Sequence, residues 1–580
     1  MSTSARPIIE IDSAPLPADV EALFTDGYVD DSQRLPDMAV LRFRDTDHIV
    51  IAKAKAKVGA KLKVSVQTGD AQSPQALFVG EITALEASYD SAGTFTVIRG
   101  YDPAHRLFRG RTTHTYTQVT ADDVARKIAK RAGLDVGQIA STSTVFDHLS
   151  QAGTTDWEFL DQLARDIGYE ITVRDGKFSF APPKSAATAP SGSAPVGGDP
   201  LVLHQGTDLL RFRAVLTSAQ QVSKVHVRGW DVASKKALVG TAPAATTSAD
   251  LPTTTPVKLA AAFGSPEYVA TEVPYRSQSE VDAAAKALAD QIAGSFAEVD
   301  ALARGNPKLV AGQAIAVDNL GEPFDGKYTI TSSRHRFDPG TGYTTSFTVT
   351  GRADRSLSAM AGGSAGASRI GVSTAVVSDA NDPQQQGRVK LTFPWLSDDY
   401  VSDWARTVQP GAGKDRGAMT VPEVGDEVLV AFEQGDFSRP CVLGGLFNGV
   451  DTPNSGGGGL VDGGSGAINR RSMVSRRGHR IDLLDADGRS EGITLSTSGD
   501  KLRLVMDSVG TAITVHSDGT VLVEGKQGIT IDSASANLEL KGGQVKIGAT
   551  SGVTIDGGAG QISVSTGGVC SISGSQIKLN

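Results

Sequence analysis

The C-terminal hundred residues carry apolar pairs at a fixed spacing. In each pair two apolar residues flank one residue, and the first members run from residue 513 to residue 577 in eight intervals, or eight residues per repeat. The pairs are Ile513/Val515, Val521/Val523, Ile529/Ile531, Leu538/Leu540, Val545/Ile547, Val553/Ile555, Ile562/Val564, Cys570/Ile572 and Ile577/Leu579. A spacing of two places both members on one face of an extended chain. Gly, Asp, Ser and Asn between the pairs are typical of tight turns. The pattern therefore predicts a repeat of short strands.

A single chain cannot bury these pairs, because two inward side chains per repeat do not enclose a core. Three chains, each forming one face of a triangular prism, would enclose them and leave few free strand edges. The pattern predicts a trimeric, intertwined β-helix with a core lined by Ile513, Val515, Val521, Val523, Ile529, Ile531, Val545, Ile547, Val553 and Ile555.

Two absences in the sequence agree with a narrow core. No Phe, Tyr or Trp follows Phe447, and no Pro follows Pro453. Aromatic rings would not fit near the axis of a prism, and proline would remove hydrogen bonds from the ladder. A flexible Ser/Gly-rich tail is the alternative, but such tails lack strict apolar pairing.

Residues 1–185 alternate strand-like runs with turns and predict a first β-barrel half with a helical insertion. The runs are residues 39–44, 61–67, 76–86 and 94–98. Thr120 with Asp123, and Thr155 with Glu158, have the spacing of helix capping boxes. Asp175 and Gly176 lie between alternating apolar residues, which predicts a β-hairpin.

The rest of the chain before the needle predicts further β-rich domains. Residues 186–365 are expected to form a second barrel half, with a linker at 186–199, a helix over 280–296 and a small, Gly-rich joint at 361–367. Residues 370–450 hold short strands between Gly and Pro turns, which suits a closed barrel such as an OB-fold. Residues 451–474 are predicted to be a Gly-rich linker, and residues 475–580 the needle. The fold class is thus mainly β with small α+β insertions.

Composition limits the class of protein further. The 580 residues suggest about four domains, and the net charge of −9 argues against a nucleic-acid binder. The first residues, MSTSARPIIEIDSAP, show no secretory signal, and no apolar run approaches the roughly 20 residues of a membrane span. Synthesis in the cytoplasm is the expectation. Cys441 and Cys570 lie in different segments, which argues against a disulfide framework.

Several motifs resemble one family. Residues 382–395 (DPQQQGRVKLTFPW), 422–436 (PEVGDEVLVAFEQGD) and 444–449 (GGLFNG) resemble the OB-fold domain of VgrG and phage tail-spike proteins. Residues 475–481 (SRRGHRI) look like the segment that opens the VgrG needle. The N-terminal part is similar to the phage late-control and VgrG hub, through the motifs at 99–102, 155–164, 305–307, 326–330, His335 and 342–347.

The resemblance implies a homotrimeric central spike of a contractile injection system, which joins an inner tube to a membrane-piercing tip. Its implied partners are the inner tube protein, baseplate proteins, a PAAR-type tip protein and effector cargo, with only transient contact with a target membrane. A phage tail, a type VI secretion machine and a released extracellular particle all remain open.

This sequence departs from parts of the family pattern. No lysozyme domain stands between barrel and needle, and the His-x-His metal site of some phage tips is missing, since the last histidine is His516. The octads stay regular to residue 580. A separate tip protein is therefore expected to cover the C-terminal face, with Ile572, Ile577 and Leu579 as its docking residues.

No catalytic, cofactor-binding or metal-binding residue is predicted. His226, His335 and His479 are isolated and are interpreted as structural or solvated residues, and Phe393, Trp395 and Trp404 as core or interface residues. Asp482, Asp485 and Asp487 lack the full ligand loop of a calcium site, and residues 485–488 (DADG) are more simply a hairpin turn. Two alternatives stay open, a spike with cell-wall-hydrolase activity and a trimeric tailspike or adhesin that binds surface glycans.

Overall fold

The computed structural model describes residues 6–68, 73–231, 234, 236–271, 273–351, 371–454 and 459–579. The chain divides into two compact units, residues 1–452 and residues 453–580. β-Strands dominate both units, which confirms the predicted mainly-β class. In the described ranges no helix has the length and apolar character needed to cross a membrane.

The first barrel half consists of strands with short helices between them. Its elements are β1 (Pro7–Ile11), β2 (Ala14–Pro15), α1 (Ala18–Glu21), β3 (Phe24–Ser32), β4 (Met38–Arg44), α2 (Val50–Lys53), β5 (Lys61–Val66), β6 (Gln75–Asp90) and β7 (Gly93–Tyr101). Buried side chains such as Phe43, Leu62, Val64 and Ile98 form its core.

A helical insertion, residues 103–181, follows β7 and has its own core. Its elements are a 3₁₀ turn (Pro103–Phe108), β8 (Thr112–Thr120), α3 (Ala121–Arg131), β9 (Asp135–Ile139), β10 (Val145–Thr154), α4 (Asp156–Ile167), β11 (Glu170–Arg174) and β12 (Lys177–Ala181). Both predicted capping boxes are present. Gly168 ends α4 with a left-handed φ of 73°. The predicted hairpin pairs β11 with β12.

The second barrel half carries a long helix against a small sheet. Its elements are β13 (Val202–His204), β14 (Leu209–Leu216), β15 (Lys224–Asp231), β16 (Lys236–Pro243), β17 (Ala249–Asp250), α5 (Pro256–Ala261), β18 (Glu267–Ala270), α6 (Gln278–Gly294), β19 (Ala297–Arg304), β20 (Ala314–Asp318), β21 (Gly326–Thr329), β22 (Ser332–Asp338) and β23 (Gly342–Val349). Helix α6 begins two residues before the predicted Glu280, because Ser277 caps it and Glu280 occupies the third helical position of the capping box. The predicted joint at 361–367 lies outside the described residues.

One long sheet runs through both barrel halves. Among the described residues its strand order is β14-β19-β23-β22-β3-β4-β7-β6-β5-β1-β2. The halves meet where β3 pairs with β22, from Ser32 opposite Ser332 to Gly27 opposite Phe337. On this seam the Arg334 guanidinium lies over the Tyr28 ring and pairs with the Asp30 carboxylate. The two halves therefore share backbone hydrogen bonds as well as a linker.

A small barrel completes the first unit. Its elements are β24 (Val372–Asp379), β25 (Lys390–Thr392), β26 (Arg406–Thr407), β27 (Gly411–Gly413), β28 (Arg416–Ala418), β29 (Glu427–Phe432) and β30 (Pro440–Gly445). The sheet order is β25-β24-β29-β30-β26, and a bridge between Val389 and Ala405 closes the ring. Such closure is the architecture expected of an OB-fold.

Three contacts fix the small barrel against the rest of the unit. The Ser150 hydroxyl of β10 lies 2.7 Å from the Tyr400 hydroxyl. His148 Nε2 lies 3.3 Å from the Val401 carbonyl oxygen. Arg276 Nη2, just before α6, lies 3.2 Å from Glu433 Oε2. The barrel is thus bound to the insertion and to the second half at separate points.

The second unit begins with an antiparallel sheet, here called the meander. It contains β31 (Arg470–Val474), β32 (Arg480–Ala486), β33 (Ser490–Ser496), β34 (Leu502–Asp507) and β35 (Ala512–Ser517), in that spatial order. The predicted turn between Asp485 and Gly488 is confirmed, since Ala486 pairs with Ser490. In the described residues from 518 to 579 the chain forms turns but no helix or strand.

Candidate assembly surface

The meander has one apolar face, built by period-two alternation in each strand. Strand register aligns the side chains into two rows across the sheet. The first row is Met473, Ile481, Leu495, Leu504 and Val515, and the second is Leu483, Ile493, Met506 and Ile513. Most of these side chains are exposed, with Met473 at 66% and Ile513 at 72%. A contiguous apolar face of this kind is typical of an interaction surface.

The opposite face of the meander is polar and more buried. Asp482 is 2% exposed, and Thr494 and Ser496 are also buried. The Ser472 hydroxyl donates to Asp482 Oδ1 at 2.6 Å, and Arg480 Nε lies 3.0 Å from Asp482 Oδ2. Asp482 thus serves as a structural acceptor within the sheet. The carboxylate is thus held by partners in the same sheet, whereas most side chains of the apolar rows are exposed in the part of the chain that the structure describes.

The eight-residue pairs continue the exposed surface beyond the meander. From Val521 to Val564, the first members of the pairs are 53–56% exposed and the second members 64–76%. This narrow spread shows that successive repeats present the two positions in the same way. Ile513 and Val515 lie on β35, whereas Val521, Val523, Ile529, Ile531, Val545, Ile547, Val553 and Ile555 lie in the strand-free stretch. The structure places these predicted core residues along one exposed series and leaves their burial in a trimer as a prediction.

The predicted docking residues share this exposure. Ile572, Ile577 and Leu579 are 72%, 51% and 89% exposed. Burial of each such side chain is worth roughly 1.5–3 kcal/mol. Burial of the whole series would therefore contribute a large stabilising free energy, which one chain alone does not gain.

The turn at residues 382–388 of the small barrel is organised by one buried carboxylate. Asp382 accepts hydrogen bonds from the backbone N–H groups of Gln384, Gln386 and Arg388 at 2.8–3.2 Å. The Arg388 guanidinium donates to Asp382 Oδ1 at 2.7 Å. The Arg388 hydrogen bond and the backbone N–H groups hold the pKa of Asp382 well below its usual range. Asp382 and Arg388 therefore close the turn formed by residues 382–388, the first half of the motif.

The aromatic residues of the barrel divide between core and surface. Phe393 is fully buried and contacts Phe432, Phe437 and Tyr400. Trp395 is half exposed, and its indole N–H donates to the Thr374 carbonyl at 3.0 Å. Phe393 is therefore the core residue that the sequence predicted.

The isolated histidines occupy structural settings. His335 is fully buried, and its Nδ1 lies 2.9 Å from the Tyr343 hydroxyl and 3.2 Å from that of Thr345. Burial lowers the pKa of His335 to about 4, so the ring is neutral near pH 7. His479 accepts the Ser498 N–H on Nδ1. Within the described ranges no group of three or more His, Cys, Asp or Glu residues could hold a metal ion.

Comparison with known families identifies the small barrel. A family model described as the type VI secretion system/phage-baseplate injector OB domain matches residues 373–447. The barrel is similar to this domain family and is here called the injector OB domain. This match confirms the resemblance to VgrG and tail-spike proteins predicted from residues 382–395, 422–436 and 444–449. A second model, described as the Alg8 N-terminal domain, matches residues 52–338, a range that starts inside α2 and ends with β22.

Curated relatives match over the same barrel. The type VI secretion system spike protein VgrG1a of Pseudomonas aeruginosa is 42% identical over 72 residues, which is 12% of this chain and 11% of that protein. VgrG3 of Vibrio cholerae is 40% identical over 70 residues, 11% of this chain and 7% of that protein. The chain thus matches about a tenth of the length of these relatives.

A solved structure extends the likeness to most of the chain at the level of fold. A chain of the Francisella PdpA–VgrG complex in its lidded form aligns with 88% of this chain and 80% of its own length, at a TM-score of 0.50 and 10% identity. At this identity the likeness shows a shared fold. The injector OB domain therefore lies within a chain whose fold is shared, over most of its length, with a chain of that complex.

Replacing Asp382 with Asn should destabilise the injector OB domain by roughly 2–3 kcal/mol near pH 7, because charge-assisted hydrogen bonds are lost. Since the folded pKa of Asp382 is lowered, its stabilisation is present above the unfolded value of about 3.9 and disappears as the pH falls below it. The difference between wild type and D382N, measured by urea unfolding followed by tryptophan fluorescence, should therefore shrink in acid.

The matched control is D398N, which changes an exposed aspartate of the same domain. Equal stability of D382N and D398N at neutral pH would show that the carboxylate does not organise the turn.

Proposed function

We propose that this chain is the structural central spike of a contractile, phage-tail-like injection system. The observation that carries the proposal is an injector OB domain followed by a regular, exposed series of apolar pairs. The first feature belongs to a domain family named for secretion and baseplate injectors. The second is a surface that one chain cannot cover by itself. A homotrimer would bury it and produce a stiff needle.

The long sheet suggests how the two barrel halves work in such a particle. Two barrel halves that share one sheet would present two β-rich units per chain, and three chains would present six. A sixfold inner tube could then rest on a threefold spike. Inner tube and baseplate proteins are the partners that this geometry fits, and effector cargo is a further candidate. The chain would be made in the cytoplasm and act as part of the assembled particle.

The needle hypothesis predicts a position-specific effect of charge. In I529D/V553D, six carboxylates would enter the core of a trimer, and the cost of burying them should reduce trimer content and protease resistance of the needle. The control T530D/T554D places the same residues one position along, between the members of the same pairs. Native mass spectrometry and limited proteolysis measure both effects. A stable wild-type monomer, or equal behaviour of the two variants, would contradict the trimeric needle.

A PAAR-type tip protein is the proposed partner of Ile572, Ile577 and Leu579, because these exposed apolar side chains would gain burial beneath it. In I577S/L579S, co-purification of the tip protein should fall strongly while the trimer persists on its remaining repeats. The control Q576S/K578S alters the flanking residues. Equal recovery of the tip protein with both variants would rule out this docking surface.

The proposed role is mechanical, and the purified spike should not clear peptidoglycan in a zymogram. Asp482, one of the carboxylates that the sequence singled out, accepts a structural hydrogen bond from the Ser472 hydroxyl in the meander. Clearing that a single point substitution abolishes would instead establish the cell-wall-hydrolase alternative. Retention on surface glycans would favour the adhesin.

A further inference from the structure

Three aspartates and one arginine meet where the helical insertion joins both barrel halves. Asp31 lies on β3, Asp37 in the turn after β3, Asp102 directly after β7, and Arg174 at the end of β11. All four line one small cavity of about 20 Å³, with Trp157 of α4 on the same wall. None of them is used by the needle or by the injector OB domain.

The cluster holds the insertion at two points. At its start, the Asp102 N–H donates to the Asp37 carbonyl at 2.9 Å, and Asp102 Oδ1 caps the 3₁₀ turn by accepting the Ala104 N–H at 3.0 Å. At the β11–β12 hairpin, Arg174 Nη2 lies 3.3 Å from Asp31 Oδ2. The start of the insertion and its last hairpin are therefore held by the same group of side chains.

The second barrel half joins the same cluster through its backbone. Arg174 Nη2 donates to the Ala311 carbonyl at 2.8 Å, and the Ala311 N–H donates to Asp31 Oδ2 at 3.2 Å. Asp31, 6% exposed, is thus contacted from the insertion and from the second half at once. A change in the charge of this carboxylate would therefore affect its contacts with the insertion and the second half, as well as its own strand in the first half.

The charges in the cluster do not balance. Of the residues that line the cavity, the three aspartates and Arg174 carry charge, and the second half contributes the backbone of Ala311. Three ionised carboxylates would place three negative charges against one positive charge in a site that water reaches poorly. A buried charge without its own counter-charge is costly, so the site favours a proton on one of the carboxyls.

We propose that this carboxyl cluster is a proton-dependent lock, which holds the helical insertion against both barrel halves when protonated and loosens that junction when it loses its proton. The proton leaves to solvent, and the remaining like charges repel one another in a buried site with one guanidinium to offset them. The lock does not depend on the proposed needle or its partners.

The direction of the pH effect follows from burial. Desolvation raises the pKa of Asp31 and Asp37, and it raises that of Asp102 to about 7. A folded pKa above the unfolded value gives stabilisation that is complete below the unfolded pKa and is lost as the pH rises through the folded one. The junction should be firm in mild acid and weaken as the pH rises through about 7.

The test compares the full chain with D37N and D102N, whose amides cannot ionise, and with the control D135N on exposed β9. Urea midpoints are measured at about pH 6 and about pH 8.5 in EDTA, so that no cation takes part. The wild type and D135N should lose stability between the two pH values, and D37N and D102N should lose less than half as much. The same pH dependence in all four proteins would overturn the proposal.

A second measurement needs no variant to fold. Infrared spectroscopy of the folded wild type should show the carbonyl band of a protonated carboxyl at about pH 6 and its loss by about pH 8.5. Absence of that band at the lower pH would overturn the lock regardless of how the variants behave.

Discussion

The main constraint on this structure is that one chain cannot bury the apolar side chains of its C-terminal unit. Among the described residues, the pairs from Ile513 to Leu579 and most side chains of the two rows across the meander are exposed. From Val521 to Val564 the exposure repeats almost identically from one octad to the next, so each of these repeats would gain by the same contact. Apolar side chains at this density do not remain in water in a functioning protein. Association of identical chains resolves the conflict most simply, because every chain carries the same surface in the same register.

The first unit, residues 1–452, buries its apolar side chains within the same chain. Its barrel halves, insertion, long helix and injector OB domain each bury a core of their own. Independent cores would normally let neighbouring parts move, but here β3 and β22 pair directly across the halves, and the Asp31 cluster ties the insertion to both. Shared backbone ladders and buried groups with several contacts therefore join the parts of this unit.

The sequence predicted local and periodic features, and it did not predict contacts between residues far apart along the chain. Thr155 and Glu158 lie three residues apart, so their capping box can be read directly, and the octads repeat often enough to identify themselves. The pairing of Asp30 with Arg334 joins residues about three hundred positions apart, and no periodicity encodes it. The meander shows an intermediate case. Its alternation at Ile481/Leu483 and Ile493/Leu495 is visible in the sequence, but residues 480–517 form antiparallel strands whose spacing is longer than the eight-residue repeat.

Two kinds of buried aspartate in this chain show why burial alone does not decide a carboxyl's charge. Asp382 and Asp31 are both nearly inaccessible to solvent. Asp382 faces three backbone N–H groups and a guanidinium that belong to it alone, which favours the ionised form. Burial raises the pKa of Asp31, and the Arg174 guanidinium and the Ala311 N–H offset that effect only in part. The balance between burial and hydrogen-bond donors therefore sets the sign of the pKa shift. Acid should therefore destabilise the injector OB domain and stabilise the junction between the helical insertion and the barrel halves, although both depend on aspartate side chains.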